Sequence, residues 1–418
     1  MTNPTNQGSQ GSSLDAVRIP EFRSLIIGRF SFVMALRMMT TLLGWWIYNL
    51  TNAPFAIGLI GLSEVVPAVS LALYAGHVID QSDKQKLLRR GIALYFIAAA
   101  ILLLLSTKNT ASIFSNNTIA LCIYFTVFCT GIVRSFVGPV FNVILAQVVP
   151  KNILQNATTW NQGAYLSASV SGHAIGGLLI ALLGNTGTFG VIVCLIITAF
   201  IILLKIKPKP PLGEKSEKKT WESVKEGLNF VFKTKEILGA ITLDLFAVLF
   251  GGAVAMVPVF ARDILKVGSE GFGFLNGASD MGAICSVILL TIIPMRQKQG
   301  YKLLFAVFGF GICIICFALS KIFILSFVAL LISGMLDGIS VVIRGTITQL
   351  KTPDNMRGRV MSVNSMFINS SNEFGQFESG LMAKLMGVIP SVIFGGCMTV
   401  AVVITTWLKA PTLRKMEY

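Results

Sequence analysis

GHVIDQSDKQKLLRR, residues Gly76 to Arg90, sets Asp80, Asp83, Lys84, Lys86, Arg89 and Arg90 into eleven positions between two long apolar runs. Charge this dense belongs in water, so both runs end here. Each run is about 20 residues long, enough for a helix to cross a hydrocarbon core about 30 Å thick. The same punctuation recurs along the whole chain, whose 418 residues are 54% hydrophobic and 13% charged, against roughly 25% charged in soluble proteins. Mean hydropathy is +0.75. Such a sequence is a polytopic membrane protein, and an all-α one is expected, because backbone in lipid must satisfy its own hydrogen bonds.

Outward from this loop, apolar runs bounded by Gly, Pro, Asn and charge predict helices near 25–47, 56–79, 91–105, 118–145, 157–183 and 188–206. A second set is expected near 236–261, 271–293, 303–319, 322–348, 360–386 and 392–408, about twelve spans in all. Between the sets, KIKPKPPLGEKSEKKTWESVKEGLNFVFKTKE opens as a Pro-rich linker. From Thr220 to Lys235 its apolar residues Trp221, Val224, Leu228, Val231 and Phe232 suit a helix lying on a membrane surface. The expected organisation is a flexible start (1–20), a six-helix bundle (21–206), the linker (207–235), a second bundle (236–408) and a tail (409–418).

Lys and Arg give the orientation. With the amino terminus in the cytoplasm, that side receives Arg18, Arg23, the four basic residues of the opening loop, Lys151, the linker lysines, Lys302, Lys351, Arg357, Arg359 and the tail, while Lys108, Arg262, Lys266 and Lys321 face the other side. Both termini are therefore expected to be cytoplasmic. Residues 1–17 are polar, without the basic start and apolar core of a cleavable signal. The seven cysteines lie in apolar segments, as small filler.

The two sets echo each other. TGIVRSFVGPVFNVILAQVVPKNILQNATTWNQ from Thr130 aligns without a gap on SGMLDGISVVIRGTITQLKTPDNMRGRVMSVNS from Ser333, matching Gly131 with Gly334, Pro150 with Pro353, Asn152 with Asn355 and Asn161 with Asn364. EFRSLIIGRF at Glu21 faces EILGAITLDLF at Glu236, and FAIGLIGL faces EGFGFLNG. These matches indicate a duplicated six-helix unit. On these residues the chain resembles the major facilitator superfamily from about Pro20 to Leu413. Gly76, Asp80, Lys84 and Lys86 match the superfamily's loop signature, while Gln81 stands where Arg is usual and Asp83 where many members have Gly. The FRSLIIGR, YNLTNAPFAIGLIGL and PDNMRGRVMSVNSM stretches are most similar to the drug and siderophore exporters of the proton-antiporter branch, which includes macrolide efflux proteins and enterobactin exporters.

The resemblance implies two bundles rocking about a midplane site. It gives the loop a gating role: Asp80 is expected to approach the start of the eleventh helix around Arg357 and Arg359, where unpaired N–H groups favour negative charge; simple solvation is the alternative. Ionisable residues in mid-bilayer cost at least about 2.5–3.5 kcal/mol each and so mark function or pairing. The midplane candidates are Arg37, Glu64, Arg134, Asp280, Asp337 and Glu373, with His173 and Glu378 further from the cytoplasm. Arg37 and Glu64 are placed to pair between neighbouring helices. Arg134, in RSFVG, resembles the superfamily's fourth-helix Arg tied to proton coupling, though Val137 replaces the usual Gln. Asp337 is its repeat equivalent. Asp337 and Glu373 are expected to carry the proton, with Glu64 and Arg134 modulating them and a cationic drug competing for the acid; permanent pairing with Arg134 is the alternative. Arg29, Asp244 and Arg344 are expected to snorkel to the cytoplasmic side, His173 to be a packing residue, and Lys384 to reach the outer interface.

No phosphate loop ends in Lys and Ser/Thr, and the histidines, His77 and His173, lie apart from any other ligand at metal spacing. No enzyme, cofactor or metal centre is expected. The net charge of +15 is spread over loops rather than gathered in one patch, which argues against nucleic acid. The expected partners are a small-molecule substrate, protons and the lipid bilayer. The leading reading is a monomeric proton-antiport exporter of the bacterial cytoplasmic membrane. A nutrient uptake symporter, a lipid flippase and a non-transporting sensor remain open.

Overall fold

The computed structural model describes residues 14–208, 220–293, 297–353 and 356–417; for Gly76, His77, Asp80, Trp221, Val224 and Arg357 the description is limited to the backbone. The described residues are almost entirely helical and include no strand. The long helices are α1 (Pro20–Thr51), α2 (Pro54–Gln81), α3 (Lys84–Leu105), α4 (Asn116–Val148), α5 (Leu154–Leu203), α6 (Thr220–Lys233), α7 (Lys235–Phe250), α8 (Gly268–Ile292), α9 (Gln299–Leu319), α10 (Phe323–Lys351), α11 (Arg357–Met386) and α12 (Val388–Lys409). Among the described residues, ten helical stretches are long and apolar enough to cross a membrane. α11 is not among them, although it is 30 residues long, because Arg359, Asn364, Asn372, Glu373, Gln376 and Glu378 lower its hydropathy.

Local sequence explains where the helices turn. Pro20 and Pro54 stand in the first turns of α1 and α2, where no amide partner is lost. Asn52 ends α1 in the left-handed conformation, φ 51°. Asp83 N-caps α3, its carboxylate accepting from the amides of Gln85 and Lys86 at 2.9 and 3.2 Å. α5 contains 50 residues and reverses at Gly184, whose φ of 66° and ψ of −174° only glycine adopts readily. The two expected helices, 157–183 and 188–206, are its two limbs, joined without a loop.

The expected continuous helix at 236–261 is instead broken. α7 ends at Gly251, and the chain continues through a 3-10 turn (Ala253–Met256), a short α turn (Val257–Val259) and a π turn (Phe260–Ile264). Paired glycines are poor helix formers, and here Gly252 lies where an added Cβ would meet the Gly375 carbonyl of α11 at 2.8 Å.

Packing follows the duplication. α1 packs on α5, α2 on α4, and α3 on α4 and α5; in the second half α8 packs on α10, α9 on α10 and α12, and α7 on α11 and α12. Among the described residues the halves meet most extensively along two helix pairs, α2 with α11 and the first limb of α5 with α8. Both are closest on the side away from the termini. A Cβ on Gly177 would lie 2.6 Å from the Cα of Gly273, and one on Gly380 2.8 Å from the Cα of Gly58, so backbone touches backbone where neither helix carries a side chain. On the same side Trp45 stacks on Phe272 at 5.6 Å, Arg262 donates to Asn49 at 3.0 Å and covers the Tyr48 ring at 3.9 Å, and the Tyr48 hydroxyl donates to Asp263. The far side is sealed. Towards the termini, an added Cβ on Gly138 of α4 meets nothing within 4 Å among the described residues.

α6 turns Leu228 and Val231 onto Ile237, Ile241, Val360 and Val363, so its apolar face covers the terminal end of the second half. It also touches α2.

Candidate functional site

Three charged residues meet where the halves join. Arg134 of α4 donates from one Nη1 to Glu64 of α2 at 2.5 Å and to Glu373 of α11 at 2.7 Å. Gln376, one turn along α11, donates to the other oxygen of Glu373 at 3.1 Å. Glycine makes this approach possible: a Cβ on Gly131 would meet the Glu64 carbonyl at 2.5 Å, and one on Gly61 the Glu373 carbonyl at 2.9 Å. Arg134 keeps 42% of its side-chain surface exposed, whereas Glu373 keeps 9%. With both acids ionised, two carboxylates share one guanidinium, and the cluster carries an excess negative charge in a poorly hydrated place. One proton neutralises it.

A second cluster lies wholly inside the other half. Arg344 of α10 pairs with Asp244 of α7 and stands 3.7 Å from Asp337. Asp337 exposes 46% of its side chain, while Arg344 and Asp244 expose 10% and 6%. The expected snorkelling of Arg344 and Asp244 is therefore replaced by a buried ion pair: each finds its countercharge on the neighbouring helix before it could reach water. The pair lines a small crevice with Ser340, Val307 and Phe310.

The expected Arg37–Glu64 pair does not form. Arg37 donates to the Tyr165 hydroxyl of α5 at 2.5 Å, because Glu64 is turned towards Arg134. Nor does Arg29 snorkel; it donates to Asn142 at 3.1 Å and Asn161 at 2.8 Å. Asp280 accepts from Ser169 at 2.5 Å and faces His173 at 3.6 Å, and His173 in turn meets Thr41 at 2.7 Å. His173 thus packs as expected but also links α1, α5 and α8. Lys384 lies 4.9 Å over the Phe55 ring at the far ends of α11 and α2.

At the opening loop, Asp80 and Gly76 occupy the last turns of α2, and the Asp80 and Arg357 side chains are outside the described residues. Arg359 is paired with Glu226 of α6. The loop's basic residues do more than anchor: Arg89 donates to the Leu204 carbonyl at 2.8 Å and Gln85 to that of Ile206, so the start of α3 caps the end of α5. Lys84 is buried and Lys86 exposed beside them. The residues that sequence reading missed, Tyr165, Asn142, Asn161 and Gln376, are uncharged; their one signal was polarity inside an apolar run.

A two-half helical protein with intramembrane charges at the seam has the architecture of a secondary transporter. The match to the family model described as transmembrane secretion effector, within the major facilitator superfamily, runs over residues 11–418, and the chain belongs to that family. Among curated relatives, the enterobactin exporters EntS of Shigella dysenteriae and Shigella flexneri are each 24% identical over 345 residues, 82% of this chain and 80% of theirs. Among solved structures, the nucleoside transporter NupG superposes with a TM-score of 0.71 at 11% identity, covering 93% of this chain and 98% of that one. The D-xylose–proton symporter gives 0.70 at 12%, covering 97% and 100%. The protein is a multi-pass membrane transporter of a small molecule, not an enzyme.

Proposed function

We propose that this chain exports a small amphipathic molecule across the bacterial cytoplasmic membrane in exchange for protons, by alternating access between halves 21–206 and 236–408. Twelve spans result when α5 counts as two and α11 joins the apolar helices. Both termini lie in the cytoplasm, and the molecule works as a monomer. The enterobactin exporters support the direction of transport.

The observation that carries the coupling is Arg134 held jointly by Glu64 from its own half and Glu373 from the other. When the halves part at the far side, Glu373 leaves the guanidinium. A carboxylate left without its cation in a low-dielectric site is neutralised by a proton. Closing the far side brings Glu373 back to Arg134, and the ion pair expels the proton. Opening to one side and exchanging a proton thus become one event. Asp337, with 46% of its side chain exposed and Arg344 at 3.7 Å, is the secondary acid.

The test uses inverted membrane vesicles with an imposed pH gradient and a substrate panel that includes enterobactin. Uptake into the vesicles that collapses with the gradient is expected. Glu373→Gln should abolish accumulation while sparing gradient-independent exchange, and normal accumulation by this variant overturns the coupling. Proton movement in the same direction as substrate would instead favour uptake symport. Orientation has its own check: a cysteine at Asn116 should label from outside the cell and one at Ser216 only from inside.

A further inference from the structure

Intramembrane arginines are expensive, and the structure shows how each is compensated. Arg134 holds two carboxylates, and Arg344 stands between two. Arg29 and Arg37 are different. Among the described residues neither has a carboxylate within 4 Å. Both belong to α1, and both turn to the same neutral group, Tyr165: the Arg37 guanidinium carbon lies 5.6 Å from the ring centre and that of Arg29 5.9 Å. Arg29 is further held by the Asn142 and Asn161 amide oxygens and by the Phe141 ring at 5.3 Å, while its Nε is buried without a partner.

Amide oxygens, a phenol and ring faces fix a guanidinium in place but leave its charge uncancelled. Asp280 and Glu373 act on Arg37 only through space and take their hydrogen bonds from Ser169 and Arg134, so neither carboxylate occupies the Arg37 N–H groups. There is also room. Asn142 is exposed, and Gly138, one turn before it on α4 and one turn after Arg134, has open space where a side chain would stand.

Building on the transport reading above, we propose that this wall of the first half is an anion-recognition site, at which Arg29 and Arg37 bind the carboxylate or phenolate of an aromatic small molecule. Two pre-positioned guanidiniums supply free N–H donors for charge-assisted bonds. Tyr165 and Phe141 supply ring faces for the aromatic body. The site inverts the expectation of a cationic drug competing for an acid: acids take the proton, and arginines take the cargo. Substrate charge is thereby kept apart from the proton-carrying cluster.

The test is equilibrium binding to the purified full-length chain in detergent, read by fluorescence anisotropy, with two dyes on one xanthene scaffold: fluorescein, an anion, and rhodamine 6G, a cation. Binding needs neither a gradient nor a direction, so its failure is separate from failure of the transport reading. Saturable fluorescein binding that weakens with salt is expected. Arg29→Gln and Arg37→Gln should each weaken it about tenfold or more, as loss of a charge-assisted bond does. Arg37→Lys should retain part of the affinity, and rhodamine 6G should bind the variants at least as well as the native chain. Thermal unfolding of each variant verifies the fold. The proposal is overturned if the native chain shows no saturable fluorescein binding. It also fails if both folded Gln variants keep native fluorescein affinity, or if rhodamine 6G is preferred by native and variant chains alike.

Discussion

Two clusters in this protein share one composition, an arginine between two carboxylates, yet occupy opposite mechanical positions. Glu64–Arg134–Glu373 crosses the seam between the halves; Asp244–Arg344–Asp337 stays within the second. A rocking motion must break the first and can carry the second unchanged. In the proposed cycle, charge in the membrane therefore serves two ends, distinguished less by residue type than by which side of the boundary between the halves each partner stands on.

Substitutions can break that comparison, and the largest effect on stability belongs to the internal cluster. Arg344→Leu strands Asp244 in the core and should destabilise the fold by about 3–5 kcal/mol, read as loss of the thermal unfolding transition in detergent. Adding Asp244→Asn should restore much of it. If Arg344→Leu unfolds normally, the cluster is not structural. Arg134→Gln should instead leave a folded chain that does not accumulate substrate, because this arginine is partly reached by water and its partners are separable. A collapse of the fold equal to that of Arg344→Leu would erase the distinction.

A smaller effect is expected at the far-side seam. Gly177→Val forces the α5 and α8 backbones apart, so transport should fall several-fold and a cysteine placed at Asn276 should react faster with a reagent added on the far side. Unchanged labelling would mean that the seam closes without this contact. Smallest of all, Asp280→Asn keeps the Ser169 hydrogen bond and loses a partly exposed pairing with His173 and a through-space attraction to Arg37, so transport should stay within about threefold of native. A complete loss would place Asp280 with the seam cluster.

Much of the fold was legible because it rests on periodicity and composition. The spans, their reversals and the duplication follow from apolar runs, Pro and Gly punctuation and matched residues such as Gly131 and Gly334. The charges inside helices were legible as well, since Arg37, Glu64, Arg134, Asp280, Asp337 and Glu373 each stand ten or more positions from either helix end. Pairing was not. Arg134 and Asp337 occupy equivalent depths, but which neighbour each meets depends on helix rotation, set by contacts such as Gly61 against α11 that no one-dimensional pattern records. Asp83 shows the same limit: within a charged loop it looked like one more charge, and it proved to cap α3. The break in α7 could have been suspected from Gly251–Gly252, yet paired glycines elsewhere, at Gly176–Gly177, sit in unbroken helix.

The loop-free reversal at Gly184 bears on how the protein enters the bilayer. Leu182 and Leu183 lead straight into the turn, and Thr186 donates to the Ser106 carbonyl at 2.6 Å, joining the turn to the end of α3. Asn185, Thr186 and Thr188 are uncharged, so this tip crosses the hydrocarbon with no ion to dehydrate. No spare residues separate the two limbs. Such a reversal favours insertion of the two limbs together, as a single antiparallel hairpin.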